Sequence, residues 1–181
     1  MKLSLTICIR YVIALLLCCA SLSLSAAEAP SDYRLGAGDA IRIHVFGEDE
    51  LSVETTLGKD GIISYPYLGK IVAGNKTTAE LQAYISEGLK GDYLINPSVL
   101  VNIVTYRPFY IYGEVKRPGG YPYQPGLTLE KAVAIAGGFT ERASTSKFTL
   151  SNTNSGKEKL TANLSTEIHP GDTILVKDSF F

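Results

Sequence analysis

Residues that could carry catalytic or metal chemistry are few in this 181-residue chain. Its two histidines, His44 and His169, lie far apart, and its three cysteines, Cys8, Cys18 and Cys19, all lie near the N-terminus. A zinc site would need carboxylates at spacings that the sequence does not show. Neither a Gly-x-Ser-x-Gly elbow nor a Gly-Lys-Ser/Thr phosphate loop is present. We predict no catalytic residue, metal or cofactor, although paired glycosidase carboxylates stay open because they meet only in the fold.

Tyrosine is the residue type best suited to recognition here. Its ring is rigid and apolar on its faces and polar at the hydroxyl, so it can stack on a sugar or pack against a partner. The chain has 11 tyrosines and no tryptophan, which argues against a high-affinity lectin. Most of the tyrosines are expected in the core or between domains. Partner or glycan contacts are predicted at Tyr65, Tyr67, Arg117, Tyr121, Tyr123, Phe180 and Phe181.

The N-terminal segment is typical of a secretory signal peptide. Lys2 and Arg10 supply positive charge, an apolar run covers residues 11–24, and small residues lead to cleavage predicted after Ala27. The run is shorter than the roughly 20 apolar residues of a membrane-spanning helix. A lipid anchor is disfavoured because no small residue precedes either of the adjacent cysteines. We therefore predict a signal peptide at 1–27 and a periplasmic location.

The sequence pattern predicts an α+β fold. Apolar and polar residues alternate over 41–46, as in a half-buried strand. Thr77 and Glu80 form a capping-box sequence at the start of one helix, and Thr128 is a candidate N-cap of a second. The apolar face of the first helix is predicted to contain Leu81, Tyr84, Ile85 and Leu89.

The same pattern predicts two successive domains. It restarts near Arg107-Pro108, which places one domain at 32–106 and a second, of β-grasp type, at 107–181. A turn is predicted over residues 116–120, Lys-Arg-Pro-Gly-Gly, with its glycines at positive φ. A plain hairpin with a charged tip is an equal alternative to partner contact for Arg117. The net charge of −1 and the lack of a basic cluster argue against nucleic acid as a partner.

Segments in a fixed order resemble the polysaccharide export proteins of the Wza type. Residues 33–52, YRLGAGDAIRIHVFGEDELS, resemble the opening of their polysaccharide export domain. Residues 59–81 and the segment NPSVLVNI resemble the following blocks of that domain. Residues 110–143 resemble the soluble-ligand-binding β-grasp (SLBB) domain, with its Gly-x-Val-x-x-Pro-Gly turn and Gly-Gly helix end. Each motif alone is weak, but their order makes the resemblance specific.

The resemblance implies a function in polymer export. Members of this family form ring-shaped oligomers that pass capsule or exopolysaccharide across the periplasm and outer membrane, together with an inner-membrane polysaccharide co-polymerase. In longer members a C-terminal amphipathic helix lines the outer-membrane pore. The sequence stops at Phe181 after one SLBB domain. We therefore expect a periplasmic component of the conduit that lacks its own spanning helix and relies on a separate outer-membrane barrel.

A second hypothesis is a stand-alone periplasmic glycan-binding module. Fold alone does not separate the two hypotheses. Ring formation and contact with a co-polymerase would favour the conduit component, whereas a monomer with measurable oligosaccharide affinity would favour the binding module.

Overall fold

Ten strands, two α-helices and one 3-10 turn alternate along residues 33–152 and 160–179, the part of the chain that the computed structural model describes. The predicted α+β class is confirmed. The predicted signal peptide, together with Phe180 and Phe181, lies outside the described residues. Neither α-helix in the described part has the length and apolar character that crossing a bilayer requires.

The N-terminal half is built around strand β1, which pairs with two antiparallel neighbours. Ile41, Ile43 and Val45 are fully buried and alternate with more exposed residues, as the sequence pattern predicts. Strand β1 lies between β2 and β5, while β3 and β4 form a separate two-stranded hairpin. The bounds are β1 (Ala40–Val45), the 3-10 turn (Asp49–Leu51), β2 (Val53–Thr56), β3 (Ile62–Tyr65), β4 (Gly69–Val72), α1 (Thr78–Leu89) and β5 (Val99–Thr105).

Helix α1 begins at the predicted capping box. The Thr77 hydroxyl accepts from the Glu80 amide at 3.1 Å, and the Glu80 carboxylate accepts from the Thr77 amide at 2.9 Å. Leu81, Ile85 and Leu89 are buried, but the prediction that Tyr84 shares their face is wrong, because its side chain is 53% exposed. At 100° per residue, Tyr84 lies about 60° outside the stripe that these three aliphatic residues define.

The C-terminal half is a five-stranded mixed sheet with one helix. The strand order is β7-β6-β10-β8-β9, with β10 parallel to β6 and antiparallel to β8. The last strand thus lies in the middle of the sheet beside the first, as the β-grasp prediction requires. The bounds are β6 (Phe109–Gly113), β7 (Gly119–Tyr121), α2 (Leu129–Ile135), β8 (Ala143–Asn152), β9 (Leu160–Ala162) and β10 (Asp172–Asp178).

Helix α2 has the predicted cap and the predicted end. The Thr128 hydroxyl accepts from the Lys131 amide at 3.4 Å, and Gly137 and Gly138 follow the helix with φ of 85° and 88°. A glycine at positive φ after a helix lets the chain turn away without steric cost, so it is the usual C-terminal signal.

Two hydrophobic cores divide the described residues. One runs from Leu35 to Val101 and the other from Phe109 to Val176, and no residue belongs to both. The segment between Val101 and Phe109 contains the point where the sequence pattern restarts. The limits 32–106 and 107–181 remain predictions.

The β6–β7 hairpin differs from the predicted turn. Gly119 and Gly120 lie within β7 and pair with Ile111 and Tyr110, so the prediction that they supply positive φ is wrong. The glycine with positive φ is Gly113, at 90°. A Cβ at Gly120 would lie 2.8 Å from Cε1 of Tyr110, so the glycine leaves space for that ring.

We predict that Gly113→Ala destabilises the second core strongly. A Cβ at this position would lie 2.2 Å from the Val176 carbonyl oxygen, in a backbone conformation that favours glycine. Strain and overpacking together should lower the free energy of unfolding by about 2–4 kcal/mol. Urea unfolding followed by circular dichroism measures this loss. The matched control is Gly119→Ala, whose Cβ would meet nothing closer than 4.0 Å. Equal losses in both variants would contradict the prediction.

Candidate functional site

Two turns with the same hydrogen-bond pattern meet where the cores join. In the first, the Gly36 amide donates to Oδ2 of Asp39 at 2.8 Å, and the Asp39 amide donates to the Gly36 carbonyl at 3.1 Å. In the second, the His169 amide donates to Oδ2 of Asp172 at 2.8 Å, and the Asp172 amide donates to the His169 carbonyl at 3.1 Å. Each aspartate follows a glycine at positive φ: Gly38 has a φ of 92° and Gly171 a φ of 83°. We call these the two Gly-Asp turns.

Arg107 lies between the two Gly-Asp turns and bonds to both. Its Nη1 is 3.3 Å from Oδ2 of Asp39, and its Nε donates to the Pro170 carbonyl at 3.1 Å. A Cβ on Gly38 would lie 3.4 Å from the Arg107 Cβ, and one on Gly171 would lie 2.8 Å from Nε. Gly171 therefore also leaves room for the arginine, whereas the contact at Gly38 would be an ordinary one. Arg107, at the point where the sequence pattern restarts, is thus bonded to both halves of the protein.

The Asp39 carboxylate is fully buried and accepts four hydrogen bonds. The donors are the Tyr33 hydroxyl at 2.6 Å, the Gly36 amide, and the Arg107 amide and guanidinium. Its bond to the Gly36 amide is local, whereas its bonds to Arg107 span 68 positions of the sequence. A carboxylate without solvent contact is tolerated when charge-assisted hydrogen bonds replace its hydration. Burial, together with the bond to Asp39, raises the pKa of Tyr33 well above its ordinary value.

Beside this network lies a groove lined by three tyrosines. Tyr106 is central: its ring centroid lies 5.1 Å from that of Tyr33 and 5.3 Å from that of Tyr123. The ring planes meet at 79° and 74°, so neighbouring rings contact edge to face. Burial and the nearby Glu167 carboxylate raise the pKa of Tyr123. We call this cavity of about 330 Å³ the tyrosine groove; it is lined by Tyr33, Tyr106, Tyr123, Pro125, Gly126, Glu167, His169 and Pro170.

Of the predicted contact residues that the structure describes, Tyr123 alone lines the tyrosine groove. Tyr121 stacks on Phe109 at 5.9 Å, and its hydroxyl donates to the Arg117 carbonyl at 2.6 Å. The Arg117 guanidinium donates to the Ile135 carbonyl at 3.1 Å, at the end of α2. Both side chains therefore hold the hairpin in place. Predicted contacts at Arg117 and Tyr121, and at Phe180 and Phe181, stay predictions.

Tyr65 and Tyr67 differ sharply in accessibility. Tyr65 is 2% exposed and donates its hydroxyl to the Leu51 carbonyl at 2.8 Å, so the prediction that it contacts a glycan or partner is corrected. Its side chain lies on the buried face of β3 and belongs to the first core. Tyr67 is 62% exposed with φ of 63°, and its ring centroid lies 4.9 Å from that of Tyr93. This exposed pair adjoins a cavity of about 250 Å³ that is lined also by Glu48, Glu50, Leu51, Asp92 and Leu94.

Sequence reasoning missed most of the groove. Tyr33 and Tyr106 are not among the predicted contact residues, although Tyr33 opens the segment 33–52 and Tyr106 directly precedes the point where the sequence pattern restarts. His169 is not among the predicted contact residues either. Among residues 33–152 and 160–179, no three His, Cys, Asp or Glu side chains are close enough to hold a metal ion.

Two protein families match the chain, in the order that the sequence resemblance predicts. The family described as polysaccharide biosynthesis/export protein matches residues 27–104, and the SLBB domain family matches residues 108–160. Arg107 falls between the two matched ranges. The first Gly-Asp turn and Tyr33 fall within the first range.

Two curated relatives support these matches. The exopolysaccharide production protein ExoF of Rhizobium meliloti (strain 1021) is 38% identical over 140 residues, which are 70% of this chain and 32% of that protein. The polysialic acid transport protein KpsD of Escherichia coli is 26% identical over 109 residues, 59% of this chain and 20% of that protein. The chain thus spans a minor part of the length of both relatives.

We predict that Tyr33→Phe destabilises the protein in a pH-dependent way. Loss of a hydrogen bond to a buried carboxylate should lower the free energy of unfolding by about 1.5–3 kcal/mol near neutral pH. Because the pKa of Tyr33 is raised by folding, its contribution is complete below about pH 10 and declines as the unfolded chain ionises above that pH. Urea unfolding at about pH 8 and pH 11 should show the difference from wild type narrowing.

The control for Tyr33→Phe is Tyr112→Phe, since Tyr112 is 48% exposed on the outer sheet face. That variant should match wild type at both pH values. A Tyr33→Phe difference that stays constant or grows with pH would contradict the assignment of the hydroxyl as a donor to Asp39.

We predict that Arg107→Lys is costly although it preserves the charge. Lysine has no planar fork with which to reach Asp39 and the Pro170 carbonyl together. The free energy of unfolding should fall by about 1.5–3 kcal/mol, the usual value of a hydrogen bond to a charged group. The matched control is Arg42→Lys, in an exposed pair with Glu54 at 2.7 Å, which should cost at most about 1 kcal/mol. Similar losses of unfolding free energy in the two variants would contradict the role assigned to Arg107.

Proposed function

Because the chain belongs to the polysaccharide biosynthesis/export family, we propose that it is a periplasmic component of a conduit for capsule or exopolysaccharide. The observation that carries this proposal is the ordered match of an export domain and an SLBB domain, joined through Arg107. The name of the relative ExoF points to exopolysaccharide production, and that of KpsD to polysialic acid transport. The signal peptide predicted at 1–27 supports the location.

The conduit component is proposed to act as a homo-oligomeric ring. A subunit whose two cores are joined by buried hydrogen bonds presents its surfaces at a fixed angle, which a closed ring requires. Among residues 33–152 and 160–179, the edges of the larger sheet are β7 and β9, and those of the smaller sheet are β2 and β5. An edge strand can pair with a strand of a neighbouring subunit. These features support the proposal that identical subunits contact one another.

Two further partners belong to the proposal. An inner-membrane polysaccharide co-polymerase would deliver the polymer, and a separate outer-membrane protein would provide its exit. The family match supports both partners as expectations for an export system. In this scheme the subunit forms part of the passage through which the polymer moves, and it neither makes nor breaks a covalent bond of the polymer.

A test in cells addresses the conduit directly. Deleting the gene should abolish or strongly reduce polymer at the cell surface while intracellular synthesis continues. Cross-linking during active secretion should yield a ladder of homo-oligomers that includes the co-polymerase at higher mass. Normal surface polymer in the deletion strain, or only monomer under secretion conditions, would overturn the proposal. Complementation with the wild-type gene controls for polar effects on neighbouring genes.

We also predict that no histidine takes part in polymer chemistry. His44 is 3.1 Å from the Ser52 hydroxyl, and Nδ1 of His169 is 3.7 Å from Oδ2 of Asp172. Replacing both histidines with glutamine should leave the linkage and chain length of secreted polymer unchanged at equal protein level. Linkage analysis and size-exclusion chromatography of the polymer measure this outcome. A change in linkage or length that follows one histidine would reopen an enzymatic role.

The alternative is a stand-alone periplasmic glycan-binding module. The tyrosine groove is the observation that favours it, since a partly buried aromatic cavity with a few polar groups is typical of ligand sites. A module of this kind would bind oligosaccharide as a monomer, and its deletion would leave export intact. The cross-linking and deletion experiments therefore separate the two functions.

A further inference from the structure

We propose that the tyrosine groove binds one neutral sugar residue of the polymer, an inference that rests on the proposed export function. The cavity of about 330 Å³ lies at the small end of the range of ligand sites, about 300–1,000 Å³. This volume suits a single pyranose ring with part of its neighbours better than a folded oligomer. The groove would hold the polymer at the joint between the two cores.

The groove offers the surfaces that a sugar ring requires. Tyr33, Tyr106 and Tyr123 present rings in nearly perpendicular orientations, so the C–H face of a pyranose can pack on one ring beside the edge of the next. The Glu167 carboxylate accepts hydrogen bonds, and the His169 side chain, 64% exposed, can donate or accept them. Sugar hydroxyls act as both donors and acceptors and can therefore use both groups.

The residues of the tyrosine groove are held in place by bonds within the protein, without a ligand. Tyr33 is fixed by its 2.6 Å bond to the buried Asp39 carboxylate, and Glu167 is paired through its backbone with Thr128 at the start of α2. Tyr106 directly precedes Arg107, whose amide donates to Asp39 at 2.8 Å. Groups held in place lose little conformational entropy when a ligand binds, so modest contacts can give measurable affinity.

The charges around the groove argue for a neutral sugar. Among the described residues that line it, Glu167 carries a carboxylate and no lysine or arginine is present. Arg107 lies nearby, but its side chain is only 12% exposed and is bonded to Asp39 and the Pro170 carbonyl. The His169 ring faces the Asp172 carboxylate at 3.7 Å. A uronic acid would therefore meet negative charge with no lysine or arginine among the described lining residues to balance it.

The other tyrosine pair serves as an internal comparison. Tyr67 and Tyr93 are 62% and 46% exposed, and their cavity is flanked by Glu48, Glu50 and Asp92. Their rings lie at 49° and the cavity is smaller, at about 250 Å³. Tyr93→Ala thus removes a paired tyrosine, more exposed than Tyr106, without touching the groove.

The test is an NMR titration of the purified ¹⁵N-labelled protein with defined sugars. The neutral probes are methyl β-glucopyranoside, cellotetraose and maltotetraose, and the acidic probe is tetragalacturonate. At least one neutral probe should shift the amides of Tyr106, Gly126 and Glu167 at millimolar concentration. Tyr106→Ala should weaken that binding about fivefold or more, the loss of one aromatic contact, while Tyr93→Ala should not. Thermal unfolding of each variant confirms that it is folded.

A charge variant keeps the inference testable even if Tyr106→Ala fails to fold. Glu167→Lys changes an exposed side chain and should make tetragalacturonate bind more tightly than it does to wild type, by roughly the effect of an exposed ion pair. The same change at exposed Glu141, outside the groove, should have no effect.

The inference is overturned if no neutral probe shifts groove amides, if shifts arise only at Tyr67 and Tyr93, or if tetragalacturonate binds wild type as tightly as the neutral sugars. These results would leave the export function standing, because that function is judged by surface polymer in the deletion strain. Conversely, groove binding with normal export in the deletion strain would retain the site and reject the conduit.

Discussion

The buried carboxylate of Asp39 is the constraint on which the joint between the two cores depends. It has no exposure to solvent, so each of its lone pairs must be satisfied within the protein. Removing one partner of a buried ion pair typically costs about 3–5 kcal/mol, because the remaining charge is left without compensation. Tyr33, the first Gly-Asp turn and Arg107 are therefore held in one arrangement. Since Arg107 also bonds to the Pro170 carbonyl, the second turn is included in the same network.

The tyrosine groove follows from this network through chain neighbours. Tyr106 directly precedes Arg107, Tyr33 donates to Asp39, and His169 begins the turn that ends at Asp172. Four of the residues that line the groove thus hold the cores together or directly adjoin residues that do: Tyr33, Tyr106, His169 and Pro170. This part of the groove therefore rests on supports that are buried, Asp39 and Arg107.

Local sequence signals predicted local structure well. The capping box at Thr77, the N-cap at Thr128 and the alternation of β1 depend on residues close in sequence, and the structure confirms all three. The error at Tyr84 arose where tertiary packing decides which face of a helix is buried, and the error at Gly119-Gly120 arose because pairing with β6 places both glycines in a strand.

The site was harder to predict because its bonds are long-range. The contact of Arg107 with Asp39 spans 68 positions, and its contact with Pro170 spans 63, so no local pattern reveals either. The prediction for Tyr65 is wrong because its residue type does not show which side of β3 faces the core. Tyr123 was predicted from its aromatic character, but its groove partners come from distant segments.

The central position of β10 has a consequence for the order of folding. Strands β6 and β8 each leave an edge unpaired until residues 172–178 arrive between them. Pairing of β6 with β10 joins segments far apart in sequence, and such non-local pairing is slow and leaves strand edges exposed to other chains in the meantime. During synthesis or translocation the first core can close well before the second. Arg107 can then already be bonded to Asp39 before the second Gly-Asp turn forms. The folded first core would thus position Arg107 for its bond to the Pro170 carbonyl while the second core folds.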